Sequence, residues 1–319
     1  MRPLLFTVWL TAGFVSAAVK IEKIAWQGWP NCYRVSNGEV ELIVTTDVGP
    51  RVMRYAFAGG RNLFKEYADQ LGKTGEKEFQ LRGGHRLWVA PEDLKTTWAL
   101  DNGPVKARID GDALELTQPV DSAGIEKRIV IRLAPTGSAV ELVHQVRNAR
   151  SAALDLAPWT LTVMAPGGVA ITGFPPRGKH PEALLPTHPL VMWAYTNLAD
   201  RRWQFTPKYL VLRQEAKASE PQKIGLFNPN TWGAYLLGTD LFVKKTQADP
   251  RKTYPDFGCS YETFTNAEML ELETLGPLER VPAGRAVEHR ERWSLHKNAR
   301  VGAWSEPEID RVIGPHVAR

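Results

Sequence analysis

Two glutamates lie two positions apart near the carboxyl end of the chain, at Glu271 and Glu273 in the segment LELETLGP. Alternate side chains of a β-strand share one face, so the two carboxylates would project together. Neighbouring like charges raise the pKa of a carboxyl group, which suits a general base working near neutral pH. The segment therefore offers a candidate acid–base pair, and a solvated strand face is the ordinary alternative.

A second candidate segment is GGHRLW at residues 83–88. On a strand, His85 would lie on one face and Arg86 with Trp88 on the other. An imidazole exchanges protons near neutral pH, a guanidinium pairs with hydroxyl or carboxylate groups, and an indole stacks on a sugar ring. We therefore take His85 as a candidate proton carrier and Arg86 and Trp88 as candidate ligand contacts. A hydrogen-bonded core histidine is the alternative for His85.

Two further segments contain candidate binding residues. Trp159 lies in a continuous apolar pattern at 155–168, where a place in the core is the competing interpretation. Asn230 and Trp232 lie in NPNTWG, where an amide beside an indole suits recognition of hydroxyl groups. Ordinary turn chemistry explains the same residues equally well.

Composition and motifs exclude several classes of function. The net charge is +5 and the cations are scattered rather than clustered, which argues against nucleic acid as a partner. Signatures of serine hydrolases, P-loops, dinucleotide-binding domains, zinc proteases and EF-hands are missing from the sequence. We predict neither a metal nor a cofactor, and no spacing rule demands calcium at Asp249, Asp256 or Glu262. A paired-carboxylate glycosidase stays open, because the required carboxylate separation depends on the tertiary structure.

Period-two alternation of apolar residues predicts a chain built from strands, among them 40–44, 113–117, 125–133, 139–146, 190–195, 208–214, 234–245, 259–264, 269–274 and 288–295. Short peripheral helices are expected at 64–72 and 306–313, and the proline-rich stretch 173–189 reads as a surface loop. We predict one all-β domain, residues 19–319, formed by two packed antiparallel sheets.

Residues 1–18 form the pattern of a signal peptide, with Arg2, an apolar run and small residues, and cleavage is expected near Ala17 or Ala18. No later segment is long and apolar enough to predict a membrane span. The mature protein is therefore expected to be exported, to the periplasm or beyond the cell. Export favours a disulfide between Cys32 and Cys259, and two buried thiols are the equally weighted alternative.

The order of these segments resembles the galactose mutarotase-like (aldose 1-epimerase-like) superfamily, and within it a bacterial branch that is often exported. The resembling segments run through nearly the whole mature chain: TDVGPRV at 46–52, GGHRLW at 83–88, the Pro158-Trp159 strand ending in Gly167-Gly168, LELETLGP at 270–277, VPAG at 281–284 and EHRERW at 288–293.

The resemblance implies a large antiparallel β-supersandwich with a sugar-binding face. Enzymes of the family interconvert sugar anomers, with a glutamate taking the proton of the anomeric hydroxyl and a histidine protonating the ring oxygen. Carried over, Glu271 or Glu273 would be the base and His85 the acid or a hydroxyl ligand. The predicted sugar contacts are Arg51, Arg86, Trp88, Trp159, Asn230 and Trp232.

Two departures from the family pattern bear on activity. The order Gly-Gly-His replaces His-Gly-Gly, and the strand around Trp159 has no histidine. The first hypothesis is therefore an aldose 1-epimerase acting on a mono- or oligosaccharide. The second is a carbohydrate-binding module without catalysis, and the third is an interaction protein of the cell envelope in which the cleft is vestigial.

Overall fold

The computed structural model describes residues 18–318, so the predicted signal peptide lies outside the described residues except for Ala18. The first eleven strands are β1 (Lys20–Trp26), β2 (Trp29–Ser36), β3 (Val40–Thr45), β4 (Arg51–Phe57), β5 (Gly84–Ala90), β6 (Lys106–Asp110), β7 (Ala113–Thr117), β8 (Ile125–Leu133), β9 (Val140–Asn148), β10 (Leu154–Met164) and β11 (Val169–Gly173).

The strands of the second half are β12 (Leu190–Met192), β13 (Trp203–Phe205), β14 (Tyr209–Arg213), β15 (Gln222–Leu226), β16 (Trp232–Leu237), β17 (Asp240–Lys245), β18 (Tyr261–Thr265), β19 (Leu270–Leu275), β20 (Glu279–Val281) and β21 (Ala286–His296). The short helical segments are α1 (Pro255–Gly258), α2 (Glu306–Val312) and α3 (Gly314–Val317).

These strands form two antiparallel sheets of eleven and ten strands. The first sheet has the order β1-β2-β3-β4-β5-β10-β19-β18-β15-β12, with β20 beside β10. The second has the order β13-β14-β11-β16-β17-β21-β9-β8-β7-β6. The prediction of an all-β protein made of two packed antiparallel sheets is confirmed.

The main hydrophobic core lies between the sheets. Alternation sends one row of each strand inward, as in β8, where Ile125, Ile129 and Ile131 are wholly buried. Burying such apolar side chains stabilises the fold by about 1.5–3 kcal/mol each. Aromatic rings fill the centre of this layer, where Phe242 meets Trp293 at 5.6 Å between ring centroids.

Most predicted strands are confirmed, and two expectations need correction. The run 234–245 is a hairpin of two strands, because Gly238 turns the chain with a φ of +64°. The helix expected at 64–72 is wrong: Phe64 and Glu66 are extended and form bridges to Met164 and Gly83. Tertiary pairing therefore overrides the local pattern there.

The helix expected at 306–313 is confirmed as α2. Ile309 and Ile313 are fully buried, and they pack against Val211 and Val243 on the outer face of the second sheet. Among residues 18–318, no helix combines the length and hydrophobicity that a membrane crossing requires.

Candidate functional site

The face of the first sheet turned away from the core, which we call the open face, carries both glutamates of the LELETLGP segment, and their side chains are buried there. β5, β10 and β19 are neighbours, and Leu161 of β10 is in register with Arg86 on one side and Glu273 on the other. Since side chains alternate along each strand, Glu271 joins Glu273 on this face, and Trp88 joins Arg86. The structure thus brings these four predicted residues to one surface.

Arg86 connects Glu271 to an aromatic wall. Its guanidinium carbon lies 3.9 Å from the ring centroid of Trp88, and its Nη2 lies 3.5 Å from Glu271 Oε1. Burial lowers the pKa of Arg86 to about 10, although Glu271 acts in the opposite direction. Burial raises the pKa of Glu271 to about 7 because it outweighs the attraction of Arg86. Glu271 therefore carries a proton in part of the population near neutral pH, as a general acid requires.

Lys223 of β15 lies between two other carboxyl groups of the same face. Its Nζ is 2.8 Å from Glu262 Oε2 and 3.0 Å from Glu273 Oε2. Trp159 Nε1 donates to that same Glu273 oxygen at 2.9 Å. Two donors on one oxygen suit a carboxylate anion. The other oxygen, Oε1, is buried without a hydrogen-bond partner, so it is free to accept a proton.

Opposing effects act on the charges of this group. Burial raises the pKa of Glu262 well above its usual range despite the nearby Lys223. Burial alone would lower the pKa of Lys223, but Glu262 and Glu273 outweigh it and raise that pKa. Burial thus favours the neutral form of Glu262, and the Lys223 ammonium lies between the two carboxyl groups, where it offsets negative charge in a buried site.

Aromatic side chains border the carboxyl groups on two sides. On the β5 side, Phe79 lies 5.6 Å from Trp88 and 4.9 Å from Trp98, measured between ring centroids. On the β15 side, Lys223 Nζ lies 4.5 Å from the centroid of Trp193, and Tyr195 follows two residues later. Carboxylates and cations between indole and phenyl rings can bind hydroxyl groups while stacking an apolar ring face.

His85 does not lie on this face. It is fully buried on the core side of β5, and its Nε2 is 2.8 Å from His144 Nε2 across the sheet interface. Its Nδ1 is 2.9 Å from Thr162 Oγ1. This placement corrects the expected partnership of His85 with Glu271 and Glu273, and it matches the alternative of a hydrogen-bonded core histidine.

The partners of these histidines fix the direction of their hydrogen bonds. His144 Nδ1 contacts the carbonyl of His289, which only accepts, so His144 donates there and accepts at Nε2. His85 must then donate from Nε2 and accept from Thr162 at Nδ1. Lys244 Nζ in turn donates to Thr162 Oγ1 at 3.1 Å. The chain of donors runs from Lys244 through Thr162 and His85 to His144.

Glu291 anchors the same interior network. Its Oε1 lies 2.7 Å from Lys244 Nζ, and Trp293 Nε1 donates to its Oε2 at 2.8 Å. Possible ligand atoms of His85, His144 and Glu291 lie within 4.8 Å of one another, a grouping that a metal ion could use. Each of these atoms already has a partner in the protein, and the Lys244 ammonium occupies the carboxylate. The group therefore works as an internal hydrogen-bond network.

Arg51 lies in β4 beside Arg86 but is engaged by the protein itself. It is fully buried, and its guanidinium donates to Asp101 at 2.7 Å and to the carbonyl of Leu81 at 2.9 Å. These bonds hold the chain that leads into Gly83, where φ is +82°. Arg51 thus positions the chain that leads into β5, and the expected ligand contact is corrected to this positioning role.

Asn230 and Trp232 lie away from the glutamates. Trp232 begins β16 of the second sheet and lines a separate cavity of about 700 Å³ with Tyr209. Asn230 belongs to the preceding turn, where its backbone N–H donates to Asn228 Oδ1. The turn interpretation therefore holds for this segment, and the expectation that it contributes to the glutamate site is corrected.

The cysteines and the calcium candidates do not assemble into sites. Cys32 and Cys259 are both free and buried, which matches the alternative of two buried thiols and not the disulfide. Asp249 pairs with Arg251 at 2.8 Å, and Glu262 pairs with Lys223. The carboxyl groups of Asp249 and Glu262 are therefore each paired with a cation of the protein.

Sequence reasoning missed Lys223 and the aromatic rim. The signal for Lys223 was present as a lone cation in the strand QKIGL, but only the sheet order places it beside Glu273. Phe79, Trp98, Trp193 and Tyr195 come from loops whose positions depend on tertiary contacts. No local pattern identifies them.

Comparisons with known proteins bear on the fold. No protein-family model and no curated protein sequence matches the chain. A galactose mutarotase-like protein from Lactobacillus casei superposes with a TM-score of 0.54 at 11% identity, covering 83% of this chain and 100% of that one. A galactose mutarotase related enzyme from Lactobacillus acidophilus gives 0.52 at 8% identity, with 84% and 98% covered.

A candidate aldose 1-epimerase from Klebsiella pneumoniae superposes with a TM-score of 0.57 at 11% identity, covering 92% of this chain and 87% of that one. At such identities the likeness concerns architecture, because fold alone does not determine function. The chain and these proteins share one large antiparallel β-sandwich.

Proposed function

Starting from a chain with the galactose mutarotase-like fold, we propose that this protein binds a sugar on the open face of its first sheet and interconverts its anomers. The observation that carries the proposal is the convergence of Glu271, Glu273, Arg86 and Lys223 between aromatic side chains. The proposal includes export of the mature chain, on the sequence of residues 1–18.

The two glutamates take different roles in this proposal. Glu273 is the base, since its Oε1 is unpartnered while Lys223 and Trp159 hold its other oxygen. Glu271 is the acid, since burial raises its pKa to about 7. The pair replaces the glutamate and histidine of the family pattern, because His85 faces the core.

The reaction balances with these two groups alone. Glu273 takes the proton of the anomeric hydroxyl as Glu271 gives its proton to the ring oxygen, and the bond between the anomeric carbon and the ring oxygen breaks. The open-chain aldehyde rotates about its first carbon–carbon bond, and the ring hydroxyl then attacks the other face of the carbonyl. Glu271 recovers its proton in that step, and Glu273 returns its proton to the new anomeric oxygen.

Binding without catalysis is the second candidate, and the placement of His85 favours it. A site that has lost the imidazole of the family pattern would retain stacking and hydroxyl recognition while losing one proton carrier. Glu271 distinguishes the two candidates, since only the enzyme needs its proton.

The test is proton NMR of freshly dissolved α-anomers of glucose, galactose and glucuronic acid with the mature chain. We expect faster loss of one α signal, and Glu271→Gln or Glu273→Gln should each return it to the buffer rate. Glu288→Gln, on the second sheet and hydrogen-bonded to Gln145, is the matched control and should keep the full rate.

Two outcomes speak against the enzyme. Line broadening of one sugar without acceleration, retained in the Glu271→Gln and Glu273→Gln double variant, would establish the binding module. The proposal would be overturned if none of the three sugars showed either faster loss of the α signal or line broadening.

A further inference from the structure

The extended segment 64–67 brings a tyrosine to the open face. Phe64 is buried in the main core, so the alternate residues Lys65 and Tyr67 turn to the opposite side, where Lys65 Nζ lies 4.7 Å from the centroid of the Tyr67 ring. The Lys65 N–H donates to the Val163 carbonyl at 2.8 Å, and the Lys65 carbonyl accepts from the Gly84 N–H at 3.0 Å. The segment is therefore fixed to β10 and to the start of β5.

The strand register gives the position of Tyr67 relative to the two glutamates. Glu273 shares a row across the first sheet with Arg86, and Glu271 shares the neighbouring row with the first residue of β5. The segment that carries Tyr67 runs antiparallel to the chain before β5, through its bridge to Gly83, and so leads away from Arg86. The order along the strand direction is therefore Glu273, Glu271 and then Tyr67.

The hydroxyl group of Tyr67 has an unused hydrogen-bond donor. Its oxygen is buried although the ring is only half-buried, and among residues 18–318 no group meets it in hydrogen-bond geometry. Burial raises the pKa of Tyr67, Glu268 and Glu271 raise it further, and Arg86 acts in the opposite direction. The phenol thus lies protonated among these side chains. An unpartnered buried donor is unfavourable, so a ligand that accepts its hydrogen bond gains affinity.

We propose that Tyr67 is a further substrate-binding residue, whose hydroxyl donates to the C6 hydroxyl group of a hexopyranose. This inference rests on the proposed function, in which the anomeric hydroxyl lies at Glu273 and the ring oxygen at Glu271. The ring oxygen of a pyranose is bonded to the anomeric carbon on one side and to C5, which carries the C6 group, on the other. Because Tyr67 lies beyond Glu271, it meets the substituent of C5. The site therefore selects hexoses over pentoses, which lack that group.

The test compares each hexose with the pentose that lacks only its hydroxymethyl group, D-glucose with D-xylose and D-galactose with L-arabinose. Proton NMR of the freshly dissolved anomers gives kcat/KM, and calorimetry gives Kd. We expect wild type to prefer the hexose of the accepted pair about three- to tenfold, the range of one hydrogen bond. Tyr67→Phe should lose this preference and keep the wild-type values for the pentose. It should not lower the free energy of unfolding in urea, because the hydroxyl has no partner in residues 18–318 to lose.

Tyr33→Phe is the matched control, because Tyr33 is another half-buried tyrosine, on β2 of the same sheet. It should keep the wild-type preference for the hexose. Equal values for hexose and pentose in wild type, or a preference that survives in Tyr67→Phe, would overturn the role of Tyr67 and leave the proposed function standing.

The remaining outcomes separate the two proposals. A loss of stability in Tyr67→Phe would mean that the hydroxyl has a partner within the protein, and it would overturn the role of Tyr67 alone. Binding without conversion, with a hexose preference that Tyr67→Phe removes, would overturn the exchange of anomers and support the Tyr67 contact. A protein that neither binds nor converts any of the four sugars would overturn both.

Discussion

The buried histidines determine how the free energy of unfolding should change as the pH falls. Burial lowers the pKa of His144 to about 4 and that of His289 to about 3, and it lowers the pKa of His85 well below its usual range. These residues are neutral in the folded protein, whereas in the unfolded chain they titrate near 6.5. Their stabilising effect is therefore complete above that pH and is lost as the pH falls towards the folded values.

The size of the effect follows from linkage. A histidine whose pKa drops from 6.5 to about 4 on folding costs about 2 kcal/mol of stability between pH 7 and pH 5. His144 and His289 together remove about 4 kcal/mol, a large part of the 5–15 kcal/mol that ordinary domains possess, and His85 acts in the same direction. The raised pKa values of Glu262 and Glu271 act in the opposite direction, since the folded state then holds extra protons as the pH falls.

The variant His144→Gln isolates one histidine from these opposing contributions. Urea unfolding followed by tryptophan fluorescence at pH 7 and pH 5 gives the free energy of unfolding of each protein. We expect the variant to be less stable than wild type at pH 7, and the deficit to shrink by about 2 kcal/mol at pH 5. The control is Val146→Ala, fully buried on the same strand, which should lose the same amount at both pH values.

A deficit for His144→Gln that stays constant from pH 7 to pH 5 would refute the reasoning. It would mean that His144 titrates alike in folded and unfolded chains, so that the donor chain ending at the His289 carbonyl is wrong.

Two further predictions concern the open face. If Glu271 is the acid, its protonated fraction falls from about nine-tenths at pH 6 to about one-tenth at pH 8, so kcat should fall about tenfold over this range. Polarimetry corrected for the buffer rate measures the change. A rate that stays constant or rises with pH would show that Glu271 is not the acid. Lys223→Met leaves Glu262 and Glu273 without their cation and should lower the free energy of unfolding by about 3–5 kcal/mol, with loss of sugar turnover. The control Lys252→Met removes a half-exposed cation beside Glu279 and should lower the free energy of unfolding by at most about 1 kcal/mol. If urea unfolding gave similar losses of stability for Lys223→Met and Lys252→Met, the buried pairing of Lys223 would be contradicted.

Local pattern was sufficient to predict the strands and the division of side chains between faces. β7 and β8 have the bounds that alternation predicts, and the separation of His85 from Arg86 follows from the same rule. The helix expected at 64–72 failed because Phe64 pairs with Met164, a contact about a hundred positions away in the chain. Long-range pairing of this kind leaves no periodic signal.

The site was predictable only where one strand carries several of its members. Glu271 and Glu273 lie two positions apart on β19, so the alternation of side chains along one strand was sufficient to predict their common face. Lys223 belongs to β15, which reaches Glu273 only because β18 lies between β15 and β19. The same limit explains the misplaced Trp232, whose neighbours in sequence suit a sugar site but whose strand belongs to the other sheet.

Two adjacent residues of β5, His85 and Arg86, lie on opposite faces of the first sheet and have different partners there. His85 enters a sealed layer where its neutral form is required, while Arg86, the next residue, meets Glu271 on the open face. Gly84 fixes this division, because a Cβ there would collide with the carbonyl of Val52. A one-residue slip of β5 would place a guanidinium against Lys244 and an imidazole against Glu271. Two buried cations would then share the single carboxylate of Glu291, which is strongly unfavourable, so the interior network helps to hold β5 in register.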